Sequence, residues 1–200
     1  REEARANWQG SGDAGEGAIW FPIATRLGST DFTGYKETTA ENTLAAIVAE
    51  GAERTDLTAG NSAELIFPQT PFYAESGGQA GDKGVIAFAN GARFEVADVK
   101  KRAGTLHAHI GTLVSGQIRP GDTAQLDIDT VRRAAIRSNH SATHLLHAAL
   151  RQVLGPHVSQ KGSLVEADRL RFDFSHPKPL SEAEIDAIEA HVNAVIRQNA

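Results

Sequence analysis

The hydrophobic period of this chain changes once, near Thr130, and that change limits the folds open to it. Upstream, apolar and polar residues alternate in short runs. Thr123-Ala-Gln-Leu-Asp-Ile-Asp129 places Ala124, Leu126 and Ile128 on one face of a strand. Leu106, Ala108 and Ile110 alternate with His107, His109 and Gly111, while Arg93-Phe-Glu-Val96, Gly84-Val-Ile-Ala87 and Glu64-Leu-Ile-Phe67 read as further strands. Turn residues separate them at Ala89-Asn-Gly91, Arg119-Pro-Gly-Asp122 and Glu75-Ser-Gly-Gly-Gln-Ala-Gly-Asp82. Short strands at this spacing, from about Ile19 to Ile128, predict a small closed β-barrel.

Downstream the period becomes helical. Val131 to Leu154 reads as one long helix, ended by Gly155-Pro156. Leu170, Phe172 and Phe174 alternate with polar residues and predict a half-buried strand. Ser181 and Glu184 form a capping box ahead of a second helix, along which Ile185, Ile188, Val192 and Val195 make an apolar stripe. The expected fold class is therefore α+β: a barrel over residues 18–130, then the first part of an α+β domain over 131–200. Residues 1–17 are expected to be a short helical segment and a linker. One strand and two helices make a thin core, so the last stripe is expected to lack full support.

Composition removes several alternatives. Gly10-x-Gly12-x-x-Gly15 has the form of a dinucleotide-binding loop, but a charged, helix-like segment precedes it where a buried strand is needed. A linker is the better reading. No run of about 18 apolar residues is present, and Arg1-Glu-Glu-Ala-Arg-Ala contains no signal core. A membrane partner is not expected, and the cytoplasm is the expected compartment. There is no Cys, so a metal must be held by His, Asp or Glu. Met is absent even from position 1, which is expected of an internal piece of a longer protein. The net charge of −5 argues against a globally basic nucleic-acid binder, yet residues 131–171 carry seven Arg or Lys against Glu166 and Asp168. That local excess is enough to attract a phosphate backbone.

The most informative segment is Ser138-Asn-His140-Ser-Ala-Thr-His144-Leu-Leu-His147. On a helix the three histidines fall within about 60° of one another, with Leu145, Leu146, Ala149 and Leu150 on the other side. A spacing of i and i+4 offers two imidazoles to one metal ion. Paired surface histidines without a metal are the common alternative. A zinc-protease pattern needs Glu after the first His, where Ser141 stands. His147 is either a third ligand or a neighbouring residue with no ligating part.

Several long segments resemble the alanyl-tRNA synthetase family, in the family's order. Arg137-Ser-Asn-His-Ser-Ala-Thr-His-Leu-Leu-His-Ala-Ala-Leu150 is similar to the first metal motif of its editing domain. Gly155-Pro-His-Val-Ser-Gln160-Lys-Gly-Ser163-Leu-Val and Arg169-Leu-Arg-Phe-Asp-Phe-Ser-His176 resemble the segments that follow it. Upstream, Gln69-Thr-Pro-Phe-Tyr-Ala-Glu-Ser-Gly-Gly-Gln79-Ala-Gly-Asp82 and Asp31-Phe-Thr-Gly-Tyr35 resemble barrel motifs, and residues 1–12 resemble the segment leading out of the tRNA-recognition region.

The resemblance implies an editing function: hydrolysis of the ester of serine or glycine wrongly attached to tRNA(Ala). It implies a Zn2+ site with His140 and His144 as ligands, completed by a later Cys- and His-containing motif, so that the site is incomplete here and the chain alone is expected to be inactive. Gln160 and Ser163 match positions associated with the editing pocket; a polar turn before Leu164-Val165 is the bland alternative. Arg132, Arg133, Arg137, Lys161 and Arg171 are the expected tRNA backbone contacts, a solvated basic face being the default for each. The Ser76-Gly77-Gly78-Gln79 run either lets a backbone approach RNA or simply turns the chain. ATP and Mg2+ serve aminoacylation in a domain outside this chain. The metal either activates water or positions the substrate. The rival readings are a free-standing editing hydrolase and a non-catalytic module that docks tRNA.

Overall fold

The computed structural model describes residues 17–198, which form two compact units. The first comprises residues 17–75 with Gly81–Asp129; the second comprises Ser76–Ala80 with residues 130–198. The expected helical segment at the N-terminus and the Gly10–Gly15 linker lie outside the described residues.

In chain order the first unit contains helix α1 (Gly17–Leu27) and strands β1 (Asp31–Phe32), β2 (Thr39–Thr43), β3 (Ala46–Ala49), β4 (Ala52–Arg54), β5 (Leu57–Thr58), β6 (Ser62–Ile66), β7 (Gln69–Thr70), β8 (Gly84–Phe88), β9 (Arg93–Arg102), β10 (Leu106–Ser115), β11 (Gln117–Ile118) and β12 (Thr123–Ile128). The main sheet runs β2-β12-β8-β9-β10-β6-β3-β4, with every pairing antiparallel. Only Leu44 and Ala45 separate β2, at one end of that order, from β3 near the other. The Leu44 N–H donates to the Asp122 carbonyl beside β12, and the Ala45 N–H donates to the Ile66 carbonyl at the end of β6. This segment connects strands from the two ends of the order. The core of the unit is filled by Leu65, Phe67, Phe72, Ile86, Phe94, Val99 and Leu126.

One expectation is corrected here. Residues from Ile19 onward were expected to begin the strands, but Gly17–Leu27 is helical even with Pro22 inside it. Trp20, Ile23 and Leu27 recur at i, i+3 and i+7, and the helix packs that stripe on Ala46, Val48, Ile66, Leu106 and Ala108. The first part of strand β10 is therefore buried on both faces. Leu106 and Ala108 lie under α1, while His107 and His109 are also buried, with His109 fully enclosed.

The second unit contains α2 (Thr130–Leu154), β13 (Ser159–Val165), β14 (Leu170–Ser175) and α3 (Glu182–Gln198). The sequence pointed to one strand here, and the structure has an antiparallel pair. Ser159-Gln-Lys-Gly-Ser163 has no apolar alternation, and its strand form comes from pairing with β14. Ala149, Leu150, Val158 and Ile188 form the core, with Leu146, Phe172, Phe174 and Val192 packed against it. Ile185 and Ile196 on α3 are exposed, while Ile188 of the expected stripe is buried and Val192 packs against the core.

The capping box at the head of α3 forms as expected. The Ser181 N–H and hydroxyl donate to the Glu184 carboxylate at 2.8 and 2.9 Å, and the Glu184 N–H donates back to Ser181 Oγ at 3.3 Å. These bonds, with one from Lys178, pull the Glu184 carboxyl down to about 2.

Candidate functional site

Ser76–Ala80 lies in the long connection between β7 and β8, yet it belongs to the second unit. Ser76 and Gln79 exchange backbone hydrogen bonds of 3.2 and 3.0 Å around Gly77 and Gly78. Both glycines have positive φ, 60° and 84°, so the run is a two-residue turn that side chains would strain. The turn docks on the end of β13: the Val165 N–H donates to the Gly78 carbonyl at 2.8 Å, and the Ala80 N–H donates to the Val165 carbonyl at 3.0 Å. A Cβ on Gly78 would lie 2.2 Å from the Ser163 carbonyl oxygen, so the close approach itself requires glycine.

This docking carries Gln79 to helix α2. His140 Nδ1 lies 2.6 Å from Gln79 Oε1. A carbonyl oxygen can only accept, so in the neutral ring the His140 proton sits on Nδ1 and Nε2 keeps its lone pair. His144, one turn along, stacks on His140 with ring centroids 5.0 Å apart and an interplanar angle of 21°. Both histidines are exposed. Neutral imidazoles with an available nitrogen are what a zinc ion takes, and the hydrogen bond on the opposite nitrogen is the usual support for such a ligand. The pair fits as two ligands of such a site. Among the described residues no group of three or more His, Cys, Asp or Glu could hold a metal ion.

His147 does not complete the set. Its ring lies against Phe172 at 5.1 Å, and its Nε2 is buried without a hydrogen-bond partner. It faces the core side of the unit, while the other two face solvent.

Gln160 and Ser163 lie on β13 rather than in a polar turn. A register shift between Gln160 and Gly162 pairs Gln160 with Phe174 and Ser163 with Phe172. Cross-strand partners share a face, so the bulge brings two residues three apart onto one face of the hairpin. Ser163 Oγ also reaches the Gly77 carbonyl at 3.5 Å. Gln160 is exposed, and the ladder places it further along the strand from the docked turn.

Asn139 ties the helix to the same strand end, donating through Nδ2 to the carbonyls of Glu166 at 2.8 Å and Ala167 at 3.2 Å. The sequence reading missed this anchor and the Gln79–His140 bond; both join residues far apart in the chain. Of the basic residues, Arg137 and Lys161 are exposed, Arg132 and Arg133 are half-buried, and Arg171 pairs with Asp173 at 3.1 Å on the surface.

The sequence profile of the tRNA synthetases class II (A) matches residues 1–132. The chain belongs to this family. It is 59% identical over 199 residues to the alanine–tRNA ligase of Hyphomonas neptunium and 54% identical over 199 residues to that of Rhodopseudomonas palustris. It is 56% identical over 196 residues to that of Sphingopyxis alaskensis. These alignments cover 98–100% of the chain, including the histidine segment downstream of the profile match, but 22% of each relative. Among the described residues no helix is long and apolar enough to cross a membrane.

Proposed function

We propose that this chain is the proofreading part of an alanine–tRNA ligase, which hydrolyses the ester of serine or glycine wrongly attached to tRNA(Ala). The observation that carries the reading is His140, exposed beside His144 and bonded through Nδ1 to Gln79 so that Nε2 is available. Identity above 50% to alanine–tRNA ligases along the whole chain supports the substrate. Aminoacylation, with its ATP and Mg2+, belongs to other parts of such a protein.

In this reading His140 and His144 hold a zinc ion together with ligands from outside the described residues. Zinc bound to neutral imidazoles supplies a polarising positive charge for ester hydrolysis near neutral pH. The chain's own groups do the rest. Ser163, on a strand fixed against the Gly77–Gly78 turn, presents a hydroxyl, and Gln160 on the same face presents an amide. Such groups orient an ester and recognise a substrate hydroxyl, which an apolar pocket discriminates poorly. Arg132, Arg133, Arg137, Lys161 and Arg171 attract the tRNA backbone. The exposed Arg171–Asp173 pair is worth little by itself and can be exchanged for a phosphate.

The test is His140→Ala with His144→Ala in the full-length protein. Clearance of seryl-tRNA(Ala) is expected to be lost while alanine charging stays largely intact. Equal loss of both activities in a folded variant, or retained clearance, contradicts the reading.

A further inference from the structure

We propose that Gln79 is a positioning residue: its side-chain carbonyl holds His140 in the Nδ1–H form and presents Nε2 to a divalent cation. The proposal rests on the reading of His140 as a metal-binding imidazole. An unconstrained neutral imidazole in water favours the opposite tautomer, with the proton on Nε2, which removes the lone pair at the exposed tip. The 2.6 Å bond to Gln79 Oε1 reverses that preference, because the acceptor has no proton to give.

The turn that carries Gln79 is built to keep it there. Reciprocal backbone bonds between Ser76 and Gln79 close the turn, and the residues on either side of Gln79 are both bonded to Val165. Gly78 cannot carry a side chain without striking the Ser163 carbonyl at 2.2 Å. Asn139, next to His140, fixes α2 to residues 166 and 167 just beyond the same strand. Donor and acceptor are therefore each tied to the region at the end of β13, one by the Asn139 side chain and the other by backbone bonds. His140 is exposed, so the bond adds little to stability, and its consequence is the orientation and tautomer of the ring.

The experiment uses the full-length protein labelled with 15N-histidine. In metal-free wild type, long-range 1H–15N correlation is expected to show His140 protonated on Nδ1. Gln79→Ala, and Gln79→Asn with its side chain one methylene short, should shift His140 to the Nε2–H form. Both should weaken zinc binding about 10- to 100-fold. Gln79→Glu, which keeps an acceptor at the same reach, should restore the Nδ1–H form and most of the affinity. A merely structural role for Gln79 would not produce that rescue. An Nε2–H tautomer in wild type, or variants with unchanged tautomer and zinc affinity, overturns the proposal. His140→Ala is the separate arm. Unchanged zinc affinity there overturns the metal reading of His140 and this proposal with it. Lost affinity there beside wild-type affinity in Gln79→Ala overturns the role of Gln79 alone.

Discussion

Thr70 and His109, 39 residues apart, share a buried hydrogen bond of 2.7 Å inside the first unit. His109 Nδ1 lies 2.9 Å from the Leu65 carbonyl and must donate to it, so Nε2 accepts the Thr70 hydroxyl proton. Thr70 Oγ1 in turn accepts the Phe72 N–H at 3.2 Å, and the rings of Phe67 and Phe72 stand edge-on to the imidazole. Burial pushes the His109 pKa down to about 4, against the upward pull of the Leu65 carbonyl.

That shift sets a pH dependence. Between about 4 and 6.5 the unfolded chain takes up a proton on this residue and the folded chain does not. The stability tied to neutral His109 is fully present above 6.5 and is lost as pH falls through that window. Urea midpoints of wild type should drop from pH 7 to pH 5 more steeply than those of His109→Gln. Thr70→Val, which leaves Nε2 and the Phe72 N–H without their partner, should cost about 1–3 kcal/mol at pH 7. Parallel pH profiles, or a Thr70→Val protein as stable as wild type, would contradict the network.

The two turn glycines should separate by substitution. Gly77 has a positive φ but open space around its missing Cβ, so Gly77→Ala meets only backbone strain of about 1 kcal/mol. Gly78→Ala meets the same strain and the Ser163 carbonyl as well. Amide exchange at Val165, whose N–H is bonded to the Gly78 carbonyl, should stay slow in the first variant and become fast in the second. Equal protection in both would show that the turn does not depend on the close approach.

The strands with clean alternation were legible in the sequence, as were α2, β14 and the Ser181–Glu184 box, because each is written in local pattern. What was not legible depends on tertiary partners. Ala46–Ala49 is buried at every position and shows no alternation to detect. His107 and His109 look like the polar face of a strand until α1 covers the other side. At the site, the i and i+4 spacing offered a metal pair beside the common alternative of surface histidines without one. Gln79, 61 residues from His140, could be placed beside it only by the fold. The glycine motif was visible as a turn; what it delivers was not.

Ser163→Ala and Gln160→Ala should slow deacylation of seryl-tRNA(Ala) more than they weaken tRNA binding. Ser163 backs onto the docked turn and Gln160 shares its face, so both suit orienting an ester rather than holding phosphates. Single-turnover rates set beside binding affinities make the comparison. Weakened binding with an unchanged hydrolytic step would assign both residues to the tRNA interface instead.

The last prediction concerns metal and activity in this 200-residue chain by itself. Catalytic zinc generally keeps three protein ligands and structural zinc four. His140 and His144 supply two, and His147, the third histidine of the stripe, has its Nε2 buried and its ring against Phe172. Reaching a shared ion would require His147 to leave the hydrophobic side of α2, where Leu146, Ala149 and Leu150 pack. The chain alone should therefore bind zinc weakly and leave seryl-tRNA(Ala) intact. A longer protein that supplies further ligands should do both, since ligand binding then adds to the ordering of the site. Zinc titration and seryl-tRNA(Ala) deacylation, run side by side on the two, make the test. Sub-micromolar zinc binding with robust deacylation by the 200-residue chain would show that His147 swings out to ligate, and its position against Phe172 would then be one of two states.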